Sequence, residues 1–298
     1  MRAGETVTVT ARPPVLLFSD IRFPSPRANG IQVVKTAHAL AARGREVRLV
    51  VRHSDQRPTS EILPEFGVEV NPRLHVDRLE VGHAPNSSFI PRLRYLSQAL
   101  ILGRRSSRKG AMVLTRDLQL ADLLLRVGCA NLTYEAHAVE AVMYEDRHHL
   151  YGLSDPPSAS KRRRIENRER RVWTGARGFI ATTGGILTTF ERLFGARPRT
   201  AVVPNGCDTP RDRVFTPPSE ALRVVYAGQL YPWKGVDVLV QAFACLQRGE
   251  LVIAGGLKGE PDFERVQELA RRLNLGERVR FLGSLPQKDV ARELAQAT

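Results

Sequence analysis

Short apolar runs alternate with stretches of helical period along almost the whole chain. PVLLFSD, residues 14–20, reads as a strand, and a helical pattern follows from Ile31 to Arg43 with Gly44 placed as its C′ cap. EVRLVV is the next strand. AMVLT, helix-like LQLADLLLRVG and then NLTYEAH continue the alternation. GFIATT follows a charged helix, and TAVVPNGCD follows GGILTTFERLFG. Strand and helix alternating at this spacing predict right-handed crossovers and a mainly parallel sheet covered on both faces.

Pro and Ser gather in TPRDRVFTPPS, residues 209–219, which marks a linker. The expected division is a first Rossmann-like domain over 1–210, a linker over 211–221 and a second domain over 222–298. In the second, LRVVYAG, ELVIAGG and VRFLG read as strands. Val236, Leu239, Val240 and Phe243 share one helical face, as do Phe263, Val266, Leu269, Ala270 and Leu273. Pro261 and Pro286 each sit at a helix start. Three strands are roughly half of a doubly wound sheet, and the last residues, ARELAQAT, run on in helical period without a capping glycine. The second domain is therefore expected to be incomplete and the chain a C-terminally truncated fragment.

With 42% hydrophobic and 26% charged residues, the 298-residue chain has the composition of a globular protein, which excludes disorder as a description of the whole. No run has the apolar length of a membrane span, and MRAGETVTVTARPP has no apolar signal core. Cys129, Cys207 and Cys245 are far apart and lack metal-ligand spacing, which reads as a reduced, cytoplasmic chain. A formal net charge of +14 is compatible with nucleic acid, an anionic membrane or phosphorylated ligands. Arginine outnumbers lysine, as biased codon usage would also produce, so charge alone selects none of these.

Ligands of open α/β sheets bind outside the carboxyl ends of the strands. At such ends lie Gly30, Thr115-Arg116-Asp117, Glu135-Ala136-His137, and Pro204-Asn205-Gly206-Cys207-Asp208 in the first domain. In the second domain they hold Gly228, Gly255-Gly256 and Gly283. YAGQLYPWKGVDVLV, residues 226–240, puts Lys234 and Gly235 just where a helix begins. A helix N-terminus favours anions, Gly235 permits close approach, and Lys234 adds a full charge, a combination that suits a diphosphate. The spacing is neither a Walker A loop nor a dinucleotide GxGxxG. On this stretch alone, a solvated lysine beside a turn fits as well.

The order of these motifs resembles the family 4 glycosyltransferases of the GT-B fold. AGQLYPWKGVDVLVQAF is similar to that family's glycine-rich strand and lysine-glycine helix, VVPNGCD to its Pro-Asn-Gly-x-Asp segment, and LVIAGGLKG with RVRFLGSLP to its donor-domain continuation. ANGIQVVKTAHALAARGREVRLVV and FIATTGG resemble acceptor-domain elements. The resemblance implies two Rossmann-like domains facing a cleft, the first on the acceptor side and the second binding the donor. It implies retaining transfer of a sugar from a nucleotide-diphosphate donor, that donor being a substrate, with no cofactor and no bound metal. Lys234 would hold the leaving diphosphate, with Gly228, Gln229 and Gly235 around it. Many members carry arginine where this chain has Gln229. Gly30 would face the sugar phosphate, Gly255 and Gly256 would admit the nucleotide, and Ser284 and Leu285 would lie near its base. His137 matches a histidine placed near the transferred sugar, the catalytic candidate, although a histidine at a strand end is often structural. The family's Glu-x7-Glu element falls beyond Thr298, so this polypeptide alone is expected to show little or no transfer.

Two basic segments bear on the acceptor, which the resemblance makes a glycan or lipid-linked saccharide of cell-surface polysaccharide or glycoconjugate synthesis. PRLRYLSQALILGRRSSRK has Leu93, Leu96 and Leu100 on one face and clustered arginines, and KRRRIENRERR is heavily cationic. Either fits peripheral contact with an anionic membrane at its inner face, or an ordinary solvated helix with a core stripe. Nucleic acid is disfavoured, because aromatics are 6% and neither run is interleaved with them. A non-catalytic nucleotide-sugar binder or a GT-B epimerase shares the fold, and the acceptor-domain motifs favour transfer over both.

Overall fold

A computed structural model describes residues 12–25, 27–82, 89–150, 156–207 and 222–298. The expected linker at 211–221 lies outside the described residues. The chain divides into two compact units, residues 1–145 with 157–206, and residues 146–156 with 207–298.

The first unit is built on seven parallel strands. They are β1 (Val15–Phe23), β2 (Val47–His53), β3 (Leu74–Leu79), β4 (Met112–Thr115), β5 (Leu132–Ala136), β6 (Gly178–Ala181) and β7 (Thr200–Val202). Their spatial order is β3-β2-β1-β4-β5-β6-β7. The chain thus winds outward from β1 to β3 and returns on β1's other side, so the loops after β1 and β4 diverge and leave a crevice at their carboxyl ends. The helices are α1 (Ala28–Ala42), the single turn α2 (Thr59–Ile62), α3 (Phe89–Arg108), α4 (Leu118–Arg126), α5 (Glu140–Leu150), α6 (Ala159–Gly175) and α7 (Gly184–Phe194).

Strand alternation explains why β1 is apolar without interruption. Val15 and Leu17 point into one core with Val34, Leu49 and Phe66, while Leu16 and Phe18 point into another with Tyr95, Leu124 and Trp173. Trp173, Phe179 and Phe190 close the second core with ring centroids 4.7–5.5 Å apart. Each such buried aromatic contributes about 1.5–3 kcal/mol, so this trio outweighs any cap or surface pair in anchoring α6 and α7. Local signals fix the helix ends. Gly44, just past α1, has a left-handed φ of 80°. Asp117 and Thr183 cap α4 and α7, their side chains accepting from the N–H of Leu120 and Ile186.

Three elements lie outside the strand-helix reading of the sequence: α2, a single turn, β3 and α5. β3 is an edge strand, LHVDRL, with only Leu74 fully buried, so its apolar pattern is thin. α3 also departs from expectation. Leu96 faces the core, Leu100 packs partly against it, and Leu93 stands 55% exposed, so the three leucines do not form one buried stripe.

The second unit carries β8 (Arg223–Ala227), β9 (Glu250–Ala254) and β10 (Val279–Gly283), parallel and ordered β10-β9-β8. Its helices are α8 (Val236–Ala244), α9 (Pro261–Arg272) and α10 (Gln287–Ala295). Val236, Val240 and Phe243 of α8 meet Leu251, Ile253, Phe263 and Val266 in one core, as their helical spacing predicts. Arg223 ties β8 to its neighbours through Glu250 at 3.0 Å and Glu293 at 2.6 Å.

Candidate functional site

In the second unit the three strands bring the expected donor residues to one edge. Gly228 and Gln229 follow β8, Gly255 and Gly256 follow β9, and Ser284 and Leu285 follow β10. Gly228 donates its N–H to Ala254 O at 2.9 Å, and Gly255 presses on it so closely that a Cβ there would stand 1.8 Å from Gly228 O. A Cβ on Gly256 would meet Leu230 at 2.8 Å. Backbone-on-backbone and core packing therefore already require these two glycines, apart from any ligand.

The turn from β8 into α8 is stapled from both sides. Tyr226 donates its hydroxyl to Gln229 O at 2.7 Å. Arg265 of α9 donates to Leu230 O at 2.7 Å and pairs with Asp237 in the first turn of α8. Between these anchors Pro232–Lys234 forms one 3-10 turn, and Gly235 takes a left-handed φ of 69° to redirect the chain into α8. Lys234 is exposed, and among the described residues no carboxylate pairs with it. An exposed cation thus stands on a stapled turn at the mouth of a nine-residue helix.

In the first unit, Gly30 lies in the first turn of α1, where a Cβ would meet Ser25 at 2.7 Å. His137 follows β5 with its Nε2 2.6 Å from Glu135 Oε1. Glu135 also pairs with Arg116 Nη2 at 3.3 Å. Arg116 Nη1 donates to Gln32 Oε1 at 3.0 Å, and Gln32 Nε2 donates to Asn205 Oδ1. One polar chain thereby joins the carboxyl ends of β5 and β4, the start of α1 and the loop after β7. Burial raises the Glu135 carboxyl, but the His137 hydrogen bond and the charges of Arg116 and His137 prevail and hold it below its ordinary value. Burial lowers the Arg116 guanidinium, which Glu135 partly offsets.

A second cluster occupies the crevice between β1 and β4. Asp20 pairs with Arg52 Nε at 2.8 Å and with Arg92, and Arg92 Nη2 reaches Asp117 at 3.0 Å. Burial holds the Asp20 carboxyl above its ordinary value, the two guanidiniums opposing it. Neither Asp20, Arg52 nor Arg92 stood out in the sequence. Asp20 closes the apolar run PVLLFSD, a usable signal, whereas Arg52 and Arg92 are joined to it only by the fold.

Similarity to known proteins follows this layout. The family described as "Glycosyl transferase 4-like domain" matches residues 30–206, more than half of the chain, and "Glycosyl transferases group 1" matches residues 209–298. Two curated relatives bear the name D-inositol 3-phosphate glycosyltransferase. The one from Nocardia farcinica is 32% identical over 52% of this chain and 37% of its own length. The one from Actinosynnema mirum is 28% identical over 86% of this chain and 66% of its own. The chain thus spans less than two thirds of either relative. Among solved structures, sucrose-phosphate synthase from Thermosynechococcus elongatus superposes with a TM-score of 0.71 at 20% identity, covering 96% of this chain and 74% of that one. HepE of Anabaena, solved with UDP and glucose, gives 0.63 at 17% identity, covering 96% and 73%. The fold is that of the GT-B enzymes, and the chain belongs to the family 4 glycosyltransferases.

Proposed function

We propose that this chain takes part in retaining transfer of a sugar from a nucleotide-diphosphate donor to a hydroxyl of a glycan or lipid-linked acceptor. Residues 222–298 bind the donor and residues 1–210 serve the acceptor side. The observation that carries the reading is Lys234, paired with no carboxylate among the described residues, on its stapled turn before α8. As the bond from the sugar carbon to the diphosphate breaks and a bond to the acceptor oxygen forms, negative charge grows on the leaving group. Lys234 and the first N–H groups of α8 are fixed where that charge develops. The helix end is worth about 0.3–1 kcal/mol for an exposed anion, and a hydrogen bond to a charged group about 1.5–3 kcal/mol, so the lysine dominates. Gln229 is neutral, which leaves more of the diphosphate charge to Lys234. The UDP in the HepE structure supports a nucleotide-sugar donor. The name shared by the two curated relatives makes a phosphorylated polyol the first acceptor to try.

Calorimetric titration with UDP-glucose and GDP-mannose tests the donor site. Lys234→Ala should weaken the preferred nucleotide sugar by roughly 10- to 100-fold, each tenfold being about 1.4 kcal/mol. Lys109→Ala, on an exposed lysine of the first unit, should leave it unchanged. Equal affinity in wild type and Lys234→Ala would sink the assignment.

Peripheral contact with an anionic membrane is a second reading, favoured by the exposed side of α3. Ile90, Leu93 and Ile101 lie there, 46–55% exposed, beside Arg94, Arg104, Arg105 and Arg108. Among the described residues no helix is long and apolar enough to cross a membrane. A lipid-linked acceptor would be met at such a surface.

A further inference from the structure

Partly buried guanidiniums in this chain stand beside carboxylates, as Arg52 does with Asp20, Arg116 with Glu135 and Arg223 with Glu293. Arg197 does not. Its Nη2 donates to Ala176 O at 2.5 Å, its Nη1 to Trp173 O and its Nε to Pro198 O at 3.2 Å. Its guanidinium carbon lies 5.3 Å from the Trp173 ring centre and 5.8 Å from that of Phe179. All of these partners are neutral. The carbonyls at the end of α6 explain why a cation settles there, since a helix C-terminus favours positive charge. Burial lowers the Arg197 guanidinium, and no carboxylate offsets it. Among the described residues, two of its five N–H groups remain for a ligand.

Arg197 lines a cavity of about 520 Å³ together with Arg177, Arg199, Phe194 and Pro198. Arg177 donates to the neutral Asn131 Oδ1 at 2.5 Å, and the backbone carbonyl of Arg199 accepts the Phe179 N–H at 3.1 Å. Among the described residues no carboxylate pairs with any of the three arginines, and no acidic side chain lines the cavity. It opens between the ends of α6 and α7 and the first residues of β6 and β7, at the amino edge of the sheet. The polar chain of His137, Glu135, Arg116, Gln32 and Asn205 stands at the carboxyl edge. A ligand here therefore does not compete for that crevice. We propose that this cavity is a second ligand site of the first unit and takes a small phosphate monoester. The three arginines meet the phosphate, whose oxygens match planar guanidinium forks, and Phe194 and Pro198 cover the carbon part. The volume lies within the range of about 300–1,000 Å³ usual for small-molecule sites. An inorganic ion would leave the apolar wall unused, so the ester is the tighter ligand.

The two tryptophans of the chain report on two places. Trp173 Nε1 donates to Gly195 O at 3.0 Å, where the chain leaves α7 for the cavity wall, whereas Trp233 lies in the turn before α8 beside Lys234. The test is proton–nitrogen NMR of the two indole N–H groups in the whole chain, assigned with Trp233→Phe, during titration with phenyl phosphate, inorganic phosphate and sulfate. Phenyl phosphate should move the Trp173 signal saturably, leave Trp233 in place, and bind more tightly than either inorganic ion. Arg177→Gln combined with Arg199→Gln should weaken it by roughly 10- to 100-fold. Both side chains are exposed, and an unmoved Trp173 signal without ligand shows that the fold is kept. Arg199→Gln alone, with a smaller loss in the same direction, covers the case in which the double variant fails to fold. A Trp173 signal indifferent to phenyl phosphate, or an affinity unchanged in both variants, overturns the proposal. An equal, weak response to all three probes would mean an adventitious ion only, and overturns it too. Movement of Trp233 alone would overturn this site while leaving the donor reading at Lys234 standing, so the two fail separately.

Discussion

Glu169 illustrates how much one side chain can change the behaviour of its surroundings. It sits on α6, 1% exposed, and accepts the N–H groups of Glu140 at 2.6 Å and Ala141 at 3.4 Å, the first turn of α5. Burial pushes its carboxyl from 4.5 to about 7, the two backbone bonds pulling down while Glu140 and Glu166 push up. The folded protein therefore binds this proton more tightly than the unfolded chain does. The stabilisation is fully present below about pH 4.5 and is lost as pH rises through about 7. A shift of this size corresponds to about 3 kcal/mol as an order of magnitude. Glu169→Gln cannot ionise and should flatten the dependence of Tm on pH between pH 5 and 8, while the wild type loses stability over that interval. Parallel curves for the two proteins would show that Glu169 does not titrate there. A signal for this residue existed in the sequence. Ile165, Glu169, Val172 and Trp173 share one helical face, so the acid stands on the apolar stripe of an otherwise cationic run.

Helix α3 has two apolar faces where an ordinary surface helix has one. Pro91, Tyr95, Leu96, Ala99, Gly103 and Ser107 form the buried face, with Tyr95 donating its hydroxyl to Val50 O at 3.2 Å. A Cβ on Gly103 would lie 2.5 Å from Leu124, so that close approach settles which face turns inward. Leucine spacing could not show this, because Leu93 and Leu96 are equally apolar and only their partners differ. The outer face predicts binding to phosphatidylglycerol vesicles in co-sedimentation, with little binding to neutral phosphatidylcholine. Basic residues near an anionic surface contribute about 1 kcal/mol each. Leu93→Asp with Ile101→Asp should lower the partition coefficient at least tenfold without unfolding the core, since both side chains are exposed. Vesicle binding that ignores lipid charge, or that survives the double substitution, would remove the membrane reading. β3 teaches the complementary lesson. Its half-buried edge position asks for few apolar residues, so periodicity had little to detect.

Across the whole chain, the parallel α/β plan was legible because doubly covered strands must be apolar on both faces, as Leu16 and Leu17 are. The carboxyl edge of the second sheet was legible too, since Gly228 and Gly255 directly follow strand ends and Lys234 stands in the turn after β8. The Asp20, Arg52, Arg92 and Asp117 cluster was not. Its members are far apart in sequence and meet only because β2 and β4 flank β1 and α3 packs on β1 and β4. Long-range pairing of that kind leaves no local pattern. The central proposal is a nucleoside diphosphate seated beside Lys234, and hydrogen–deuterium exchange with and without saturating UDP or GDP tests it. Exchange should slow over residues 228–237, 255–257 and 283–287, and Lys234→Ala should abolish the effect. Protection confined to the basic faces of α3 and α6, or absent with either nucleotide, would contradict the account.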